Sequence, residues 1–157
     1  MAIYMAERII LDLREMQPVA WLDWQVVDGG VWGSIHVNQT RETFTFTRRF
    51  YMHRNFSNFI TPGAVFIDIG NNAMVAAVNS SGKSLIIIAL NAAPSREEEY
   101  TFDLSSFTRI GTLASVYRTS KTEDLAKQTD ISISGKRFHT TLPAYSITTF
   151  VVPINGG

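Results

Sequence analysis

Three tryptophans, Trp21, Trp24 and Trp32, fall within twelve residues, and Asp23 and Gln25 sit among them. An indole offers a flat apolar face that stacks on the C–H face of a sugar ring, and an N–H that donates a hydrogen bond. The stretch AWLDWQ, residues 20–25, therefore admits two readings. It is either a buried strand rich in aromatics or the lip of a binding cleft. In a strand, Asp23 and Gln25 share a face with Trp21, while Trp24 points the other way. A carboxylate in a fully buried strand is costly unless it is paired. Polar and aromatic groups at the C-terminal end of a strand more often meet a ligand cleft. Trp24, Gln25, Asp23 and Trp32 are the candidate substrate-binding residues.

Other chemistries find less support. Glycoside hydrolysis needs two carboxylates at a set separation. Asp23, Asp28, Glu42, Asp68 and the run Glu97-Glu98-Glu99 are available, but none has an acid/base context, so no catalytic residue is assigned. The glutamate run reads as the solvated end of a hairpin, because like charges avoid burial. His36, His53 and His139 show no metal-ligand spacing, and no metal is expected. Neither a GxSxG elbow nor a phosphate-binding glycine loop occurs, and no cofactor is expected. Arg48, Arg49 and Arg54 read as a solvated helix face. Fourteen basic and fourteen acidic residues cancel, which removes the electrostatic case for nucleic acid or an acidic membrane. The absence of cysteine excludes disulfides, thiolate catalysis and cysteine-ligated zinc. Asn38, Asn55 and Asn79 each head an Asn-x-Ser/Thr triplet, which matters only in a secreted eukaryotic protein.

The elements that must position these residues follow from periodicity. Met5, Ile9, Leu13 and Met16 recur at helical spacing over residues 3–16, and Pro18 ends that helix. AWLDWQVV then reads as a buried strand and Asp28-Gly29-Gly30 as a turn. TRETFTFT alternates as a strand. RRFYMHRNFSNFI carries Phe50, His53 and Phe56 at helical steps and ends at Thr61-Pro62-Gly63. Beyond Gly63 come eight short strand-like runs separated by turn signals, as in an antiparallel sandwich. Among them LIIIAL is apolar on both faces, which predicts a central strand. The expected fold is mainly β: an antiparallel β-sandwich over 62–157, preceded by a helix–strand–helix segment over 1–61. An isolated helix and strand leave that strand's edges unpaired, an oddity that composition does not explain. No apolar run approaches the roughly 20 residues of a membrane span. Glu7 and Arg8 interrupt the apolar N-terminus, so it does not read as a signal peptide, and the compartment stays open.

Read in order, PVAWLDWQ, GGVWGSI, RRFYMHRNFSNFITPGAVFI, VAAVNSSGKSLIIIALN, VYRTSKTEDLA and LPAYSITTFVV resemble the C-terminal portion of glycoside hydrolase family 30. The resemblance runs from about residue 3 to 152 and is closest to the galactanase-like and glucanase-like branches. It implies that residues 1–61 are the remnant of a (β/α)₈ barrel, with AWLDWQ as its last strand, and that 62–157 is the side sandwich. It also implies that both catalytic glutamates correspond to sequence before Met1, leaving this chain inactive alone. Trp24 and Gln25 match the family's WQ, whose tryptophan helps line a sugar subsite. Asp23 stands where the family usually has tyrosine. The implied partners are carbohydrate, through a parent enzyme, and either a missing barrel half or a second copy, with Met5, Ile9 and Leu13 at the interface. The alternative is a non-catalytic carbohydrate-binding or self-associating β-sandwich.

Overall fold

The computed structural model of the chain describes residues 2–30 and 32–154. Val31, within the GGVWGSI motif, and the last three positions of the expected sandwich lie outside the described residues. The elements run α1 (Ala2–Glu15), β1 (Val27–Asp28), β2 (Ile35–Asn38), β3 (Thr43–Phe46), α2 (Arg48–Ser57), β4 (Val65–Ile67), β5 (Met74–Val78) and β6 (Ser84–Asn91). They continue with β7 (Glu98–Asp103), β8 (Leu113–Thr119), β9 (Ala126–Lys127), β10 (Ile131–Ser132), β11 (Arg137–Leu142) and β12 (Ser146–Pro153). The fold is mainly β, and its large sheet is antiparallel at every pairing.

That sheet has the order β10-β8-β12-β6-β5-β4, with β9 hydrogen-bonded to β8. Its centre is the β6–β12 ladder, in register from Ser146 opposite Asn91 to Pro153 opposite Ser84. Successive side chains of β6 point to opposite faces. Leu85, Ile87 and Ala89 join one core, and Ile86, Ile88 and Leu90 join the other. LIIIAL is thus the central strand its two-sided apolarity predicts. β-branched residues suit such a position because their restricted rotamers match an extended backbone.

The first core lies under a two-stranded ribbon, β11–β7. Phe102 of β7, Phe138 of β11 and Phe150 of β12 meet there, with ring centroids 4.7 to 5.4 Å apart. The second core lies under the helices. Met5, Ala6, Ile9 and Ile10 of α1 and Met52 and Phe56 of α2 pack on Val75, Ile86, Ile88, Leu90 and Ile147. Each fully buried aliphatic chain contributes about 1.5–3 kcal/mol relative to exposure. Met5 and Ile9 therefore belong to the chain's own core, which corrects their expected place at an interface between copies. Met16, expected on the same helical face, lies past the end of α1 and is exposed.

The buried strand expected over AWLDWQVV does not form. Only Val27 and Asp28 pair as a strand, parallel to Ile35 and His36 of β2. Leu22, Trp24, Val26 and Val27 are exposed. The reason is pairing: a strand persists where neighbouring backbone satisfies its N–H and C=O groups, and here the added main-chain bonds run from Ser34 N to Gln25 O and from Ile35 N to Val26 O. The inward and outward alternation survives, with Trp21, Asp23 and Gln25 partly covered and Leu22, Trp24 and Val26 exposed. α2 forms as expected but stops at Ser57, short of Thr61.

Candidate functional site

The site is built around the segment linking α1 to β1. Its inward side is a polar network. Trp21 Nε1 donates to Asp12 Oδ2 of α1 at 2.9 Å. The Asp23 side chain is only 10 % exposed. It faces Arg49 of α2, whose Nε donates to Asp23 Oδ2 at 3.0 Å while Nη2 donates to Asp23 Oδ1. The same Nη2 donates to the carbonyl of Trp24 at 3.1 Å. The bidentate fork resolves the cost of a covered carboxylate, since planar guanidinium matches carboxylate geometry. The Trp24–Gln25 peptide is cis.

His53 lies one helical turn beyond Arg49 on α2. Its Nε2 is 3.3 Å from Asp23 Oδ2, yet it is not aligned for a hydrogen bond. Burial pushes the His53 imidazole below its ordinary value; the Asp23 carboxylate opposes that shift, and the Arg49 guanidinium adds to it. The Trp21 ring lies 5.5 Å from the His53 ring.

On the outward side Trp24 is 82 % exposed and Trp32 59 %. Trp32 is held by its backbone: its N–H donates to Asp28 Oδ2 at 3.1 Å. The backbone N–H groups of Trp32 and Gly30 hold the Asp28 carboxyl below its usual range. Gly33 is required at the base of this loop, because a Cβ there would fall 2.7 Å from Asp28 N and 2.8 Å from Ile35 O. Gln25 is half-buried, and its carbonyl accepts from Ser34 N at 3.3 Å. The four candidate residues thus divide. Trp24 and Trp32 present indole faces to solvent, Asp23 is turned into the protein, and Gln25 lies between. Each exposed indole can stack on a flat apolar ligand face. A groove of about 560 Å³ lies elsewhere, between β5–β6 and β7, lined by Met74, Ala76, Leu85, Ile87, Tyr100 and Phe102.

Two sequence readings change here. Arg49 does not belong to a solvated face: it is buried with Met52, Asn55 and Phe56 on the inner side of α2. Asn55 is fully buried, its amide donating to Thr149 Oγ1 at 3.0 Å and its Oδ1 accepting from Thr119 Oγ1 at 2.6 Å. A glycan cannot be attached to a side chain so enclosed. The supporting role of Arg49 and His53 escaped the sequence reading, although positions 49, 52, 53 and 56 share one helical face. Among the described residues, no group of three or more histidine, aspartate or glutamate side chains could hold a metal ion, and no helix is long and apolar enough to cross a membrane.

The chain is 34% identical over 118 residues to a glucuronoxylanase, XynC, of Bacillus subtilis (strain 168), a match spanning 71% of this chain and 26% of that protein. It also superposes with a TM-score of 0.81 on the glycoside hydrolase family 30 subfamily 8 xylanase Xyn30A from Clostridium acetobutylicum. The chain is a homologue of family 30 glycoside hydrolases, over their C-terminal portion. The superposition covers 97% of this chain and 38% of Xyn30A at 23% sequence identity. An endo-β-1,6-galactanase of Hypocrea rufa is 21% identical over 154 residues, 94% of this chain and 32% of that enzyme. The chain therefore spans about a quarter to a third of the length of the curated family 30 relatives it matches. No protein-family model matches it.

Proposed function

We propose that this chain is the C-terminal module of a family 30-type O-glycoside hydrolase acting on β-linked glycans. Residues 1–61 would be the closing portion of its (β/α)₈ barrel and residues 62–157 its side sandwich. The observation that carries this reading is the exposed Trp24 on a segment pinned from behind. An outward indole beside the half-buried Gln25 is what a sugar subsite would need from its last barrel strand. The acid/base and nucleophile glutamates would come from barrel segments outside this sequence, since a retaining site needs two carboxylates about 5 Å apart. A single wall cannot supply the preorganised groups that stabilise an oxocarbenium-like transition state. The chain alone is then inactive.

The test is hydrolysis of β-1,4-xylan and β-1,6-galactan by the purified chain, with and without the barrel half of a relative. No turnover alone, and turnover on complementation, is the expected pair of results. Turnover by the chain alone that disappears on changing Asp23, Asp28, Glu42 or Asp68 would sink the proposal.

Self-association has separate support. Strand β4 lies at the end of the sheet order, and Val65, Phe66 and Ile67 are all exposed. An apolar edge strand invites pairing with another chain. A second copy, or the missing barrel half, would be met there rather than through the inner face of α1. Light scattering of a Phe66→Lys variant tests this: loss of a dimer supports the β4 edge, and an unchanged dimer removes it.

A further inference from the structure

Segment 19–26 has little main-chain pairing to hold it in place, yet it carries the exposed Trp24. The contacts that hold it come from behind. Trp21 is tied to Asp12 of α1. Arg49 of α2 makes three contacts, two to the Asp23 carboxylate and one to the Trp24 carbonyl. A single guanidinium thus fixes the side chain of residue 23 and the main chain of residue 24. The inward side chain and the carbonyl belong to adjacent residues, so together they set the rotation of the backbone between them. That rotation decides where the Trp24 indole points. Lysine could replace the charge of Arg49 but not its fork, which supplies parallel N–H groups in a rigid plane.

We propose that Arg49 is a positioning residue: acting through the Asp23 carboxylate and the Trp24 carbonyl, it holds the Trp24 indole in the orientation that a sugar ring would stack on. The proposal rests on the reading of Trp24 as a sugar-facing residue, and it gives Asp23 a role as strut rather than ligand. It accounts for an aspartate at a position where an uncompensated carboxylate would be expelled: Asp23 and Arg49 are both nine-tenths buried and satisfy one another. It also predicts that the two residues act as one unit.

The test uses the intact chain labelled with 5-fluorotryptophan, its three ¹⁹F resonances assigned by single Trp→Phe substitutions. Arg49→Lys and Asp23→Asn are each expected to move the Trp24 resonance toward its position in the denatured chain and to narrow it, leaving Trp32 in place. The double variant is expected to give the same shift as either single variant. A merely structural role would displace Trp24 and Trp32 together, or neither. Either outcome overturns the proposal, as does a double variant whose shift is the sum of the two. The underlying reading is judged separately, by adding xylo-oligosaccharide to the unmodified chain. A Trp24 resonance that no β-linked oligosaccharide perturbs removes the sugar-facing reading, while the response to Arg49→Lys still decides whether Arg49 orients the indole.

Discussion

Strand β6 and the segment 20–26 have similar recipes, apolar residues with few charges, and opposite outcomes. β6 lies between β12 and β5, and its main chain is paired along both edges. The 20–26 segment has no such neighbours; it keeps the alternation of a strand and loses the strand itself. Alternation determines which side chains face inward, whereas a partner determines whether an extended run becomes a strand. The two regions are held by different forces. β6 is held by apolar burial on both faces, and the segment by a few polar ties to α1 and α2.

Substitutions in each region can break or sharpen that contrast. The largest effect is expected from Phe150→Ala, since Phe150 is fully buried against Phe102 and Phe138. It should cost about 4 kcal/mol, read as a lower urea midpoint at unchanged slope. Arg49→Leu is expected to cost about 3 kcal/mol, because it leaves the Asp23 carboxylate covered and unpaired. A much smaller loss, accompanied by faster amide exchange over residues 20–26, would show that the segment lifts off to rehydrate Asp23. Asn55→Ala is expected to cost about 2 kcal/mol, because the Thr119 hydroxyl loses its acceptor and Thr149 Oγ1 loses a donor while keeping its own bond to the carbonyl of residue 55; a neutral result would mean that the Thr119 hydroxyl finds another acceptor.

His53 gives a pH-dependent effect. An unfolded imidazole titrates at about 6.5, and the folded His53 titrates lower. Between those two points the unfolded chain binds a proton that the folded chain does not, so stability rises with pH. It is complete above about pH 6.5 and falls on acidification until His53 protonates in the folded state as well. His53→Gln is expected to flatten the urea midpoint between pH 5 and pH 7. The smallest effect on stability is expected from Trp24→Ala. Its side chain faces solvent, so the change should stay within about 0.5 kcal/mol. A larger loss would mean that Trp24 packs rather than waits for a ligand.

Much of the sheet could be read from residues alone. The turn NSSGK carries Gly82 at φ +69 and the Asn79 side chain that accepts from Lys83 N and Ser84 N, so local chemistry marks the β5–β6 hairpin. Strand β11 likewise announces itself by alternation, and β7 and β12 as strand-like runs between turn signals. β2 and β9 were missed because IHVN and AK are short and lack flanking contrast. The burial of Arg49, expected on a solvated face, and of Asn55, to which sequence assigns no place, escapes sequence reading for a different reason. Residue type argues for solvent, and only the partner on another element, Asp23 for one and Thr149 for the other, makes their burial tolerable. Sequence spacing put Trp24 opposite Asp23, and the structure keeps that opposition; what spacing could not reveal is the arginine behind them.

The two-sided burial of β6 has a consequence for how the molecule comes apart. With Ile86, Ile88 and Leu90 on the helical side and Leu85 and Ile87 on the ribbon side, one strand is the common floor of both layers. Stripping away the helices would wet one face of the ladder that the aromatic ribbon needs intact. Neither layer can melt without weakening the seat of the other, so a calorimetric scan should show both leaving in one endotherm.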